Sequence, residues 1–311
     1  MHIPDAMLQG KICPVTAIIS VVSIGVAILS IYKKKEAPAP RQFGAVAALI
    51  FVAQMMNFPI LNGVSGHLVG SVLATNLLGW PLAVLAMSLV IAIQSLLFSD
   101  GGITVLGANI LNMAIIGTAA GEGVRVFLRS YTGSDSKIEL CQRAFLSLSQ
   151  AEPIFESRAV YHPSCRYYLA LAAASWVSVM ASAFAASIEI ILSGNPNIIV
   201  PMLSIHALIG LGEALITCVA LSMLARTRKA VAPLALAALV ALFASWTSAD
   251  PDGLEWAAQK SGIWSESTPH FYSMGISIPT VAAFVGGLAS FTLAYFFLRW
   301  CKKGFKMHCV H

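Results

Sequence analysis

Long apolar runs alternate with short polar connections along this chain. About 20 apolar residues cross a bilayer as a helix. Nine segments read as spans: 14–32, 43–60, 66–80, 81–98, 103–124, 167–193, 198–225, 231–248 and 280–298. The third is short and Gly-rich, which suits a tilted or half-buried helix covered by protein. The pattern predicts an all-α integral membrane protein, a seven-span helical bundle plus two further C-terminal spans. A basic RTRK junction at 226–229 divides the chain into regions 1–228 and 229–311. Two polar stretches stand out. Residues 125–166 form a mixed-charge insert with room for a short amphipathic helix, a solvated surface that a partner could dock on. Residues 249–279 form a loop that includes PDGLEW.

Charge orients the spans. With the amino terminus outside, every one of the 19 Lys and Arg except Lys11 and Lys260 falls on the inner side, as the positive-inside rule requires. The carboxyl terminus is then cytoplasmic. Composition agrees, with 58% hydrophobic and 11% charged residues, against about 25% charged in soluble domains. Mean hydropathy is +0.79. The net charge of +5 sits in short runs between spans, which argues against a nucleic-acid-binding face. The KKK run follows the first apolar segment, the reverse of a secretory leader, so no cleaved leader is expected. The 6 cysteines form no CxxC pair and are expected to be reduced thiols.

Some functions are disfavoured by missing motifs. There is no HExxH and no Ser–His pair of recognisable spacing, so a membrane hydrolase is a weak rival. There is no GxxxxGK[ST], so the chain is not itself a P-loop ATPase. A stand-alone channel or carrier would use charged groups in its pathway, and few charges lie mid-span.

The opening MHIPDAMLQG is a short polar arm. The topology puts Met1 and His2 outside, on the same face as His67 in NFPILNGVSGH. A histidine at position 2 has specific chelating chemistry. The terminal amine and the residue-2 amide nitrogen close a five-membered ring with a metal; that amide and the His2 imidazole close a six-membered one. His67 is the natural fourth nitrogen. Such a square favours Ni(II) or Cu(II), whereas Zn(II) prefers a tetrahedron and Co(II) is less favoured. A residue at position 2 is ordinarily part of a loose tail; the shared face with His67 singles this one out.

MHIPD, NFP followed by SGHLVG, LLFSDGGITVLGANILNM and SIHALIGLGEALIT together resemble the CbiM/NikM family. These are the substrate-binding membrane (S) components of energy-coupling-factor (ECF) transporters for cobalt and nickel. The resemblance implies a nitrogen square of Met1, His2 and His67, and residence in a prokaryotic inner membrane. It also implies a transmembrane coupling (T) component and two ATPase subunits as partners. The chain departs from the family at Ala6, where Gly is usual. PDGLEW with its two flanking spans resembles the NikN or PDGLE-type accessory component, here fused. That leans the transported ion toward Ni(II), with Co(II) the alternative.

Other polar residues invite a supporting role, orienting the histidines and holding the arm: Asp5, Asn57, Ser65, Gln94, Asn109, Asn112, His206 and Glu213. His206 and Glu213 share one face of a span, as do Asn109 and Asn112. The alternative for each is a hydrogen bond that packs the bundle. Asp5 faces either the arm's own backbone or His67, or is a plain turn residue. In the tail, Cys301, His308, Cys309 and His311 could bind soft metal, but the basic residues beside them favour contact with anionic lipid. His162, Cys165 and His270 read as surface residues.

Overall fold

The first apolar run folds as α1 (Ile12–Lys34), which leads through a two-residue strand, β1 (Glu36–Ala37), into α2 (Pro40–Gln54). The structure, a computed structural model, describes residues 1–34, 36–61, 63–132, 165–227, 232–263, 278–305 and 308–309. Most of the 125–166 insert with His162, and His270 and His311, lie outside the described residues.

Pro40 suits the start of α2 because the first helical N–H has no partner to lose. The apolar pattern predicts a span through residue 60. Instead α2 ends at Gln54, and β2 (Asn57–Leu61) pairs antiparallel with β3 (Val64–His67). Pro59 and the Gly63 turn favour this hairpin over a continued helix. The molecule is therefore mainly rather than purely helical. The register sets Asn57 opposite His67.

Left-handed Gly70 and an extended, positive-φ Gly79 bound the short α3 (Ser71–Leu78), nearly all of it buried. Then come α4 (Trp80–Phe98), α5 (Leu106–Asn109), a π-helix (Ile110–Ile116) and α6 (Gly117–Thr132), the last three without a break. Next are α7 (Cys165–Leu192) and α8 (Ile199–Thr227). The C-terminal region contributes α9 (Ala232–Leu242), the capped α10 (Gly253–Lys260), α11 (Pro279–Phe305) and β4 (His308–Cys309), which pairs parallel with β1. Among the described residues, α1, α4, α7, α8 and α11 are the 5 helices long and apolar enough to cross a membrane. The predicted spans at 43–60, 66–80, 103–124 and 231–248 hold shorter elements: α2, α3, the rod of α5, π-helix and α6, and α9.

Helix α2 sits at the centre. It packs on α4, and α9 and α11 cover it from the C-terminal region. That explains why almost every α2 residue is buried. By contrast α1 is largely exposed, with Val15, Ile18, Val21 and Val22 facing outward. An exposed apolar band on a water-soluble protein would be a liability; on this one it faces lipid.

Helices α11 and α2 meet through glycine. A Cβ at Gly286 would come within 2.1 Å of the Phe51 ring. Gly286→Val should therefore lift α11 off α2. Overpacking of this kind costs about 1–3 kcal/mol and should lower the thermal midpoint of the full chain in detergent. Gly25→Ala, in open space on α1, should not lower it.

Candidate functional site: a buried amino terminus

The polar arm does not trail into solvent. Met1 is 4% exposed and His2 6%. Burying a terminal ammonium is unfavourable unless it is paired, and it is paired twice. The Met1 amine touches His67 Nε2 and donates to Asp252 Oδ2 at 2.7 Å. His67 comes from the end of β3 and is itself 6% exposed. Its Nδ1 lies 3.1 Å from the Leu68 carbonyl oxygen. A carbonyl only accepts, so the ring proton belongs on Nδ1, and the Nε2 lone pair faces the amine.

His2 lies beside them. Its ring centroid is 5.3 Å from that of His67. Both its ring nitrogens are buried without a hydrogen-bond partner. Asp100 stands 3.9 Å from Nε2, beyond hydrogen-bond length. Burial drives the His2 pKa down from 6.5 to about 3, only partly opposed by Asp100. At neutral pH the imidazole is therefore uncharged, with a lone pair available. Burial alone would raise the Asp252 carboxyl, but the Met1 ammonium 2.7 Å away outweighs it and holds that pKa well below the usual range.

The arm is held by the loop after α4 and by the start of the π-helical rod. Asn109 clamps residue 3 from both sides: Ile3 N donates to Oδ1 at 2.8 Å, and Nδ2 donates to Ile3 O at 3.0 Å. Gly102 N also donates to Ile3 O at 2.9 Å. Asp5 Oδ1 accepts from Thr104 N at 2.9 Å. The SDGG turn is shaped to the arm. Gly101 has φ +90°, and a Cβ there would sit 2.9 Å from Asn109 Nδ2 and 3.2 Å from His2 Cβ. None of these bonds uses the His2 amide, among the described residues. Ala6 has φ +68°, a left-handed conformation that costs a non-glycine residue about 1–2 kcal/mol.

The remaining candidates fall into two groups. Four sit beside His67 or the segment that carries Asp252. Glu213 accepts from Val69 N at 2.7 Å and Gly70 N at 2.9 Å, fixing the chain just after His67. Asn57 is the strand partner of His67, and its carbonyl accepts Ser248 N at 2.8 Å. Ser65 Oγ donates to Asp250 O at 2.7 Å. His206 packs its ring against Gly253 while Nδ1 meets Met202 O at 2.8 Å. The other two do not reach the arm. Asn112 turns away and donates to Glu189 Oε2 at 2.7 Å. The expectation that it shares a face with Asn109 rests on α-helical spacing, and the π-helix beginning at Ile110 breaks that spacing. Gln94 is buried with no side-chain partner among the described residues; its carbonyl accepts Asp100 N at 3.1 Å.

Residues absent from the predicted set are Asp252, Asp100, Thr104 and the glycines at 101 and 102. Among the described residues no group of three or more His, Cys, Asp or Glu side chains could hold a metal. What converges here instead is two imidazoles with main-chain nitrogens.

Two changes in the arm should have opposite effects. Asn109→Ala removes both clamping bonds and should loosen the arm by about 1–3 kcal/mol. Ala6→Gly relieves the left-handed strain, offset in part by the freer undocked chain, and should tighten it. Hydrogen exchange at the Ile3 amide reports both: faster in the first variant, slower in the second.

The chain matches the CbiM family, described as "Cobalt uptake substrate-specific transmembrane region", over residues 2–231. It is 37% identical to the "Putative fused nickel transport protein NikMN" of Archaeoglobus fulgidus, over 78% of this chain and 74% of that protein. A shorter match, 41% identical, joins 37% of this chain to 36% of the "Probable fused nickel transport protein LarMN" of Lactiplantibacillus plantarum. A crystal structure of a truncated transition metal transporter superposes with a TM-score of 0.57 at 27% identity, covering 73% of this chain and 99% of that one. With its family match spanning most of the sequence and its relatives transporters rather than enzymes, this multi-pass membrane chain belongs to the CbiM family.

Proposed function

We propose that this chain captures Ni(II) at the outer face of a prokaryotic inner membrane and delivers it for uptake as the substrate-specific component of an ATP-driven ECF transporter. The ion is held in a square of four nitrogens: the Met1 amine, the His2 amide, His2 Nδ1 and His67 Nε2. The observation that carries this reading is the contact of the terminal amine with the His67 lone pair, beside a His2 ring whose nitrogens are buried and unpartnered. A buried imidazole without a partner is unfavourable, and a ligand role explains its retention. The His2 amide is free of hydrogen bonds to the protein among the described residues, as an amide that ligates after losing its proton must be. Asn109, Gly102, Asp5 and Glu213 hold the ligands in place.

The wider reading follows from sequence and family together. Residues 1–228 form the metal-binding membrane domain with seven spans, and 229–311 a NikN-like accessory region with two. The amino terminus lies outside and the carboxyl terminus in the cytoplasm. Energy comes from a transmembrane coupling component and two ATPase subunits, since the chain has no nucleotide-binding loop. The names of the fused relatives favour nickel. Cobalt is the second reading, favoured by the family description.

Calorimetric titration with Ni(II) tests the square. One residue added ahead of Met1 displaces the amine from its chelate ring. It should weaken binding by more than the roughly 10–100-fold typical of lost outer partners. His67→Ala should do the same, while His270→Ala should not. Undiminished affinity in the extended chain would refute the proposal.

Acid should release the ion. His2 has a docked pKa near 3 against an ordinary 6.5, so the docked arm binds fewer protons than the free arm between those values. Docking is therefore complete above 6.5 and is lost as pH falls toward 3. Apparent Ni(II) affinity should drop about tenfold per pH unit as pH falls from 6.5 toward 3, since one unit is about 1.4 kcal/mol. A flat profile from pH 7 to 5 would contradict it.

A further inference from the structure

Asp252 has two carboxylate oxygens with separate tasks. Oδ1 accepts the Glu255 amide at 2.8 Å, while Glu255 Oε2 accepts the Asp252 amide at 3.0 Å; together they cap α10. Oδ2 accepts the Met1 amine at 2.7 Å and lies 3.6 Å from His67 Nε2. The segment around Asp252 is fastened to the strand that carries His67. Ser65 N donates to Pro251 O at 2.9 Å, and Ser65 Oγ donates to Asp250 O at 2.7 Å. On its other side, a Cβ at Gly253 would come within 2.6 Å of Ile209 and 3.0 Å of the His206 ring. The carboxylate is thus built into place from three directions, at a sequence separation of 251 residues from the amine it meets.

We propose that Asp252 is the positioning residue for the terminal amine, making the accessory region an integral part of metal capture. This rests on the nitrogen-square reading above and names what the PDGLE segment contributes to it. Asp252 holds the amine against His67 before the ion arrives, so less ordering remains to be done on binding. It also balances charge in both states. Without metal it faces one ammonium. With a divalent ion bound to one anionic amide nitrogen, it faces one net positive charge. Asp100 does not substitute, because it stands on the His2 side, 3.9 Å from that ring's Nε2. Both Asp252 oxygens are engaged, so the residue acts through the amine and not as a ligand.

Asp252→Asn separates the two tasks. Asparagine caps helices as well as aspartate does, so α10 keeps its start. With its one oxygen on the Glu255 amide, it turns an N–H toward the amine. Three measurements on the full chain test the idea. The first, on metal-free protein, is the rate at which the Met1 amine is labelled by an amine-reactive acylating reagent. It should be slow in the native chain and clearly faster in Asp252→Asn. The second is Ni(II) affinity, expected to fall about 10–100-fold, the usual range for a lost charge-assisted outer partner. The third is the visible absorption of the nickel-saturated variant, which should match the native spectrum because the ligands are unchanged.

Unchanged labelling and affinity in Asp252→Asn, in a protein whose Ni(II) binding is lost when a residue precedes Met1, would overturn this inference alone. A shifted spectrum would overturn it too, by making Asp252 a ligand. If the extended chain keeps its affinity, it is the nitrogen square itself that fails, whatever Asp252 does.

Discussion

A charged amino terminus does not normally enter a protein interior, and the site depends on this one doing so. The Met1 amine lies buried between an imidazole lone pair and a carboxylate, and every nearby feature serves that placement. Asn109 and Gly102 fix Ile3. The SDGG turn leaves space where side chains would collide with the arm. Glu213 anchors the backbone beyond His67. Each is a local hydrogen bond or a missing Cβ, and together they hold the arm against the bundle.

The same placement explains why the C-terminal region is not a mere appendage. Its helices α9 and α11 cover α2, and its segment 248–251 bonds to the β2–β3 hairpin through Ser65 and Asn57. The hairpin therefore has two jobs: it presents His67 to the arm and receives the loop that brings Asp252.

Much of this was legible in the sequence, for identifiable reasons. That Met1 and His2 could chelate depends on position, which a sequence states outright, and the charge pattern predicted that His67 shares their face; the structure brings the three residues together. Asn109 announced itself as a polar residue within an apolar run. Asn112 misled because helical spacing assumes 3.6 residues per turn, and the π-helix at Ile110 departs from it. The end of α2 was missed because the apolar run outweighed the turn signals Pro59 and Gly63 that end it. Asp252 was hidden by distance along the chain: its segment PDGLEW stood out, but its docking runs through main-chain atoms of Asp250 and Pro251, which leave no pattern. The usual glycine at position 6 makes sense once Ala6 is seen at φ +68°.

X-ray absorption at the nickel edge of the loaded full chain tests the central claim most directly. The account predicts four nitrogen neighbours in one plane, two of them with the outer-shell scattering of imidazole. A sulfur neighbour, or six light atoms in an octahedron, would contradict it.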